Sequence, residues 1–177
     1  MSDREVLERV MEAMEGRYYG KYRGEVVDNN DPRTEGRLLV KVAGVMGQET
    51  LWALPCVPYA GAGVGFFALP PVGARIWVEF EGGDTDYPIW VGCYWLPGEL
   101  PAEDATPDIV FLRTPGATIR IEDSGTLEIE TAGGSKLTLT GTEITAESAT
   151  IKQSANGGVT ELTAGGFDAM NGALKVV

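Results

Sequence analysis

Carboxylates are plentiful in this sequence and cysteines number two, but histidine is absent. Its absence removes Ser-His-Asp and Cys-His catalysis as well as the common zinc sites. Glu81, Asp84 and Asp86 surround two glycines, but their spacing is not that of an EF-hand calcium loop. We interpret these carboxylates as a solvated turn between two strands.

The remaining candidate motifs also have structural explanations. Residues 61–65 resemble part of a phosphate-binding loop but lack the Gly-Lys-Ser/Thr that completes it, so we interpret their glycines as sites of close backbone approach. Cys56 and Cys93 form no C-x-x-C motif, and we interpret them as small buried apolar residues in a reducing compartment. The sequence therefore predicts no enzyme, no cofactor and no metal site.

The acidic balance of the chain bears on its partners and location. The 177 residues carry 14 Lys and Arg against 26 Asp and Glu, a formal net charge of -12. Such a surface repels a phosphate backbone, so the sequence predicts no nucleic-acid partner. The N-terminus lacks the layout of a signal peptide, and no apolar run approaches the ~20 residues of a membrane helix. We therefore expect the chain to be made and folded in a cytoplasm.

Residues 1–21 are predicted to form a short N-terminal helix and a lead-in. Between Asp3 and Glu15, apolar residues repeat at helical spacing while charged residues fill the opposite face. A helix this short needs packing to persist, so it packs either on its own domain or on a partner or neighbouring copy. The apolar side of this helix, which we assign to contact with a partner, consists of Val6, Leu7, Val10, Met11 and Met14.

Residues 22–96 are predicted to form a small barrel. Five short runs of strand-forming residues are separated by turn signals such as Asp28-Asn-Asn-Asp-Pro32 and Gly82-Gly-Asp84. Five strands in about 75 residues favour a closed or nearly closed OB-fold barrel. The predicted core of this barrel is Val40, Val42, Ile76, Val78, Phe80, Ile89 and Val91.

After residue 96 the composition changes. All ten prolines lie at or before Pro115, whereas the chain beyond it is rich in Thr, Gly, Ala and Glu. We interpret residues 97–116 as an extended, exposed linker and residues 117–177 as a series of five- or six-residue strands. Each strand carries apolar residues two apart, with Thr, Glu or Lys between them.

The repeat segment has too few apolar residues to fold alone. One Ile/Leu pair per strand cannot offset an ordering cost of ~1–2 kcal/mol per residue. Three copies wound about one axis would solve this, because each apolar row then faces two others; the alternative is a short sheet folded back on the barrel. The predicted trimer core is Ile119, Ile121, Leu127, Ile129, Leu137, Leu139, Ile144 and Ile151.

The order of motifs in residues 22–96 resembles a known family. The residues that carry the resemblance are Gly24-Glu-Val-Val-Asp28, Gly36-Arg37, Pro58-Tyr59-Ala-Gly61, Gly73-Ala-Arg-Ile-Trp-Val78 and Pro88-Ile-Trp-Val-Gly92. They are similar to the spike proteins of contractile injection machines: phage baseplate assembly protein V, the OB-fold domain of the phage cell-puncturing spike, and the matching part of type VI VgrG. The repeat segment extends this resemblance in kind.

The resemblance implies an all-β structural protein: a helix, an OB-fold barrel and an intertwined trimeric triangular β-helix. It implies a homotrimer on a tail hub protein, assembled into a virion tail baseplate or injection particle, that pierces the target envelope when the sheath contracts. Several short phage spikes end in a His-x-His iron site, which a chain without histidine cannot form. There is also no room for a lysozyme-like insertion.

The predicted apex of the needle is small, blunt and partly apolar. Leu174, Val176 and Val177 would lie there, and exposed apolar ends usually mark binding sites. In related machines a PAAR-type protein caps such an end, so we expect these residues to seat one; a frayed terminus is the alternative. Two other functions stay open: an OB-fold module for nucleic acid or glycan, and a trimeric adhesin fragment.

Overall fold

The computed structural model describes residues 3–176, which divide into two compact units between Glu99 and Leu100. The first unit begins with helix α1, Asp3–Met14, close to its predicted bounds. The segment that follows the helix is hydrogen-bonded to a turn at residues 81–83: the Tyr18 amide donates to the Gly83 carbonyl at 2.8 Å. Gly83 has a φ of +78°, and a Cβ there would lie 3.0 Å from the Tyr18 nitrogen, so this approach requires glycine.

A closed five-stranded barrel forms the body of the first unit. Its strands are joined in the order β1-β2-β3-β7-β6, with β3 and β7 parallel and the other pairs antiparallel. The OB-fold prediction is confirmed. The elements in chain order are β1 Tyr22–Asp28, β2 Leu38–Lys41, helix α2 Ala43–Met46, β3 Thr50–Pro55, the hairpin β4 Ala60–Gly61 and β5 Val64–Gly65, β6 Arg75–Phe80 and β7 Pro88–Cys93.

The barrel core contains five of the seven predicted residues. Val40, Val42, Ile76, Val78 and Phe80 are buried, and they pack with other residues of β1, β2, β3 and β7. The sequence pattern of β6, three apolar residues two apart, fixed this inward face. The further buried apolar residues of the core are Val26, Leu38, Ala53 and Trp90.

Two of the predicted core residues in β7 are wrong. Ile89 and Val91 are only half-buried, and Pro88 and Trp90 point inward instead. Trp90 pairs with Val78 beside an irregularity in the β6–β7 register, and its indole N–H donates to the Gly36 carbonyl at 3.3 Å. A buried tryptophan needs such a partner, and the large ring then fills the core in place of the two aliphatic residues.

The two cysteines also differ from prediction. Cys56 and Cys93 are both exposed rather than buried. Cys56 is the first residue after β3 and Cys93 is the last residue of β7, so both lie where the chain leaves the barrel sheet. They are free thiols at the ends of β3 and β7.

The second unit consists of two antiparallel meanders. The first sheet runs in the order β12-β11-β10-β9-β8 and the second in the order β13-β14-β15-β16. The predicted series of short strands is present, whereas the trimeric β-helix stays a prediction. The strands are β8 Ile109–Arg113, β9 Ala117–Glu122, β10 Leu127–Thr131, β11 Lys136–Leu139, β12 Ile144–Glu147, β13 Thr150–Ala155, β14 Gly158–Thr163, β15 Gly166–Ala169 and β16 Leu174–Val176.

The predicted linker, residues 97–116, is only partly a linker. Residues 109–113 form strand β8, which pairs along its length with β9. Asp104 is also not extended and exposed, because 4% of its surface is accessible. The prolines had suggested an extended segment, but they end at Pro107 and resume at Pro115, which leaves a full strand between them.

Candidate functional site

The first sheet of the second unit carries a continuous apolar surface. Residues paired directly across strands share a face, and every second residue along a strand returns to it. This register aligns two rows of apolar side chains on one side of the sheet. The rows are Val110, Ile121, Leu127, Leu139 and Ile144, and beside them Leu112, Ile119, Ile129, Leu137 and Ala146.

We call these ten positions the apolar face. It is largely open to solvent in one chain: Ile144 exposes 73% of its surface, Val110 65% and Leu112 52%. A sheet normally packs its apolar side against a second layer, and a contiguous exposed patch usually marks an interaction site. The apolar face is therefore the main candidate functional surface of this unit.

The opposite side of the same sheet is a network of ion pairs. Asp104 contacts Arg113 at 2.5 Å and Arg120 at 3.5 Å. Glu128 contacts Arg120 at 4.0 Å and Lys136 at 2.6 Å, and its hydrogen bond raises the pKa of Lys136. Charged groups that are paired and hydrogen-bonded in this way can remain in water. The charged side is thus suited to water, whereas most side chains of the apolar face are exposed without a second layer over them within residues 3–176.

The second sheet repeats the division between its faces. Ile151, Leu162, Phe167 and Val176 are aligned in one row across the four strands. The row on the other side is charged, and in it Lys152 contacts Glu161 at 3.3 Å. Its members are Lys152, Glu161, Asp168 and Lys175.

The structure brings together the residues predicted for the trimer core. The seven between Ile119 and Ile144 all lie on the apolar face, and Ile151 lies on the corresponding side of the second sheet. Sequence reasoning missed Val110 and Leu112, because the four apolar residues 109–112 show none of the alternation that marks the other strands. It also missed the alignment of Leu162 and Phe167 with Ile151.

The predicted tip residues are part of the second sheet. Leu174 and Val176 belong to β16, and both are exposed on the same side of the sheet as Ile151. Val177 lies outside the described residues. The apolar surface at the end of the chain is therefore continuous with the row through Leu162, and Leu174 and Val176 pair with β15.

Helix α1 presents a second unpartnered surface, in the first unit. All five residues predicted for partner contact are exposed, from 41% for Val6 to 64% for Met11. Packing of this face on the helix's own barrel, one of the two predicted alternatives, is not seen among the described residues. A 12-residue helix is marginal in water without packing, so its apolar side is a candidate contact surface.

A groove beside the β4–β5 hairpin is a third apolar surface. Its volume is about 320 Å³, and aromatic and aliphatic side chains line most of it. Phe66 and Phe67 at its edge expose 53% and 77% of their surfaces. Residues that line the groove include Pro55, Val57, Tyr59, Val64, Phe66 and Trp90.

A buried ion pair fixes the loop before β2. Asp31 accepts hydrogen bonds from the amides of Arg33 and Glu35 at 3.0 and 2.8 Å, and from the Arg37 side chain at 2.6 and 3.1 Å. The Arg37 guanidinium holds the pKa of Asp31 well below its usual value of 3.8, and Asp31 in turn raises the pKa of Arg37. Arg37 also stacks over Trp52, 5.4 Å from the ring centre. We assign this loop a structural role, because Asp31 and Arg37 are ion-paired and hydrogen-bonded to each other.

No metal or membrane site accompanies these surfaces in residues 3–176. No group of three or more His, Cys, Asp or Glu side chains in that range could hold a metal ion. Neither described helix has the length and apolar character needed to span a membrane.

The barrel domain is similar in sequence to known proteins. Residues 22–95 match the family model for the type VI secretion system/phage-baseplate injector OB domain. The chain is also 33% identical over 85 residues to the type VI secretion system spike protein VgrG4b of Pseudomonas aeruginosa. That alignment covers 43% of this chain, and the chain spans about a tenth of the length of that relative. The resemblance predicted from the motifs is confirmed.

Proposed function

We propose that this chain, whose residues 22–95 match the type VI secretion system/phage-baseplate injector OB domain, is a structural spike of a contractile injection machine. In this proposal three copies form the spike, which sits on the tail hub at the centre of a baseplate and is driven through the target envelope. The family match supports a location in the baseplate. The exposed apolar face of the second unit supports the three-copy assembly.

The observation that carries the proposal is the apolar face. Eight of the ten positions of the apolar face are exposed to water in one chain and two are half-buried, while the reverse side of the same sheet is ion-paired. Burial of apolar surface stabilises by roughly 25 cal/mol per Å². Three copies that turn these faces inward would bury them together and leave the charged sides wet, which gives a needle with a dry core.

The charge and chemistry of the chain suit a mechanical rather than a catalytic role. A net charge of -12 keeps such a particle soluble and away from nucleic acid. Rigidity would come from continuous β hydrogen bonding and a packed core. The protein would be made in the bacterial cytoplasm and incorporated into a phage tail or a related injection particle.

Two further contacts belong to this proposal. The apolar side of α1 would bind the tail hub protein, because it is exposed and lies on the helix that precedes the barrel. Leu174, Val176 and Val177 would seat a PAAR-type tip protein at the far end. Each of these contacts is tested separately from the spike assignment.

Light scattering on the purified full-length chain, at several concentrations, tests the assembly. A chain mass of 18.9 kDa makes a trimer easy to distinguish from a monomer. We expect a single trimeric species that persists on dilution. A stable monomer would contradict the proposal. Electron microscopy of the particle that co-purifies with the chain tests the location, and a baseplate with the chain on its axis is the expected result.

A further inference from the structure

One polar pair interrupts the apolar side of the second sheet. Gln153 lies two residues after Ile151 on β13 and therefore on the same face. Thr160 lies directly opposite Gln153 on β14, and Ala169 and Leu174 continue the same row. The neighbouring row, which contains Ile151, is entirely apolar. Gln153 and Thr160 are thus polar residues at positions where the rest of the pattern calls for burial.

The side-chain amide of Gln153 makes no hydrogen bond within residues 3–176. In one chain this costs nothing, because the side chain is exposed to water. In a three-copy spike the same side faces the core, where an unpaired amide would lose its hydrogen bonds to water without replacement. The cost disappears if identical residues of the three chains satisfy one another. An amide group has two donors and one acceptor oxygen, and the Thr160 hydroxyl adds one of each.

We propose that Gln153 and Thr160 of three chains form one hydrogen-bonded polar layer inside the spike, and that this layer fixes the alignment of the chains. The inference rests on the three-copy assembly proposed above. Rows of Ile and Leu resemble one another, so apolar packing alone discriminates poorly between aligned and slipped chains. A slip would place each amide against an apolar row without a partner. A single buried polar position fixes register in the same way in coiled coils.

Exchange of glutamine side-chain amides with deuterium tests the layer directly. The sequence contains only two glutamines, Gln48 and Gln153, so selective ¹⁵N labelling of glutamine gives two assignable amide groups. Gln48 is an internal control: it is exposed, its oxygen accepts a hydrogen bond from Lys41, and its amide nitrogen makes no hydrogen bond within residues 3–176. We expect the Gln153 amide to exchange at least about tenfold more slowly than that of Gln48.

The outcomes separate this inference from the proposed function. Slow exchange at Gln153 in a protein that is trimeric by light scattering supports the layer. Equal exchange at the two glutamines in a trimer overturns the layer and leaves the spike intact. A monomer by light scattering contradicts the spike itself, and the layer with it.

The role in alignment needs a second experiment. A reporter thiol at Ala169→Cys, with Cys56→Ser and Cys93→Ser, lies in the same row as Gln153 and meets its copies when the chains are aligned. Gln153→Leu should keep the trimer but lower the disulfide-linked fraction several-fold. Lys152→Leu, the adjacent residue on the charged side, is the control and should leave that fraction unchanged. An unchanged fraction in Gln153→Leu would overturn the alignment role.

Discussion

At the scale of single residues, the face of the sheet on which a side chain lies decides the effect of substituting it. Ile129 and Glu130 are adjacent in β10, yet Ile129 lies on the apolar face and Glu130 on the ion-paired side. The same substitution at these two positions therefore tests what each face does. The buried pair of Asp31 and Arg37 offers an equivalent test in the barrel.

We expect Ile129→Asp to abolish the trimer and to give monomers or aggregates. It would place three carboxylates in one dry layer, and each costs several kcal/mol unless it is neutralised. Glu130→Asp is the control and should stay trimeric. Light scattering distinguishes the two, and a trimeric Ile129→Asp protein would show that this face is not the core.

Asp31→Asn should destabilise the barrel, and the effect should depend on pH. Because Arg37 holds the Asp31 pKa below 3.8, this carboxylate contributes stability that is fully present above that pH and is lost as the pH falls through the folded-state pKa. Thermal unfolding should show a lower midpoint for the variant at neutral pH and a shrinking difference as the pH drops below 3.8. Glu79→Gln, which breaks the more exposed pair with Lys21, should have a smaller effect. A difference that stays constant through the acid range would be evidence against this assignment.

At the scale of elements, the two ends of the chain carry apolar surface that its own units leave uncovered. Helix α1 is exposed along its apolar side, and β16 extends the apolar row of the second sheet. Each element can be altered without touching the barrel core, so each predicted contact can be tested alone.

Deletion of residues 1–16 should leave a soluble trimer with weaker binding to the tail hub protein. The deletion removes the apolar side of α1 but keeps Tyr18, which is hydrogen-bonded to Gly83. Co-purification with the hub measures the effect, and Arg4→Ala on the exposed polar side is a matched control. If the deleted chain binds the hub as well as the full chain does, the helix has another role.

Substitution of Leu174 and Val176 by serine should reduce capture of a PAAR-type protein from the same gene cluster. The two residues supply exposed apolar surface, whereas Lys175 between them faces the charged side and Lys175→Ser should have no effect. Co-expression followed by affinity capture compares the three proteins. Equal capture by all of them would remove the tip assignment without affecting the spike proposal.

At the scale of the whole molecule, the division between Glu99 and Leu100 separates a unit with a buried core from a unit without one. The barrel has a closed sheet and a buried core of its own. No apolar side chain among the described residues of the second unit is fully buried. The proposed three-copy assembly would supply the burial that is missing. We therefore expect the two units to behave differently when they are separated.

A fragment of residues 1–99 should be a folded monomer, and a fragment of residues 100–177 should form trimers. The first has its own core, and the second has the apolar face. Light scattering and thermal unfolding of the two fragments test this. Trimers from the first fragment together with monomers from the second would place the assembly contacts in the barrel unit instead.

The sequence alone determined the features that depend on local pattern. Period-two alternation located β6 and the repeat strands, helical spacing located α1, and the order of turn motifs identified the barrel. Sequence pattern failed where the orientation of a side chain depends on the pairing of several strands. In β7, Trp90 displaces Ile89 and Val91 from the core because the register against β6 and the hydrogen bond to Gly36 fix its orientation.

Only the tertiary structure decided which strands and faces come together. Residues 109–113 alternate too little to be recognised as a strand, yet pairing with β9 makes them one and brings Val110 and Leu112 into the apolar rows. Gln153 is one polar residue among many in the sequence, and only the β13–β14 register places it opposite Thr160 on the apolar side. The physical reason is that cross-strand neighbours are set by backbone hydrogen bonding between distant residues, which no local pattern encodes.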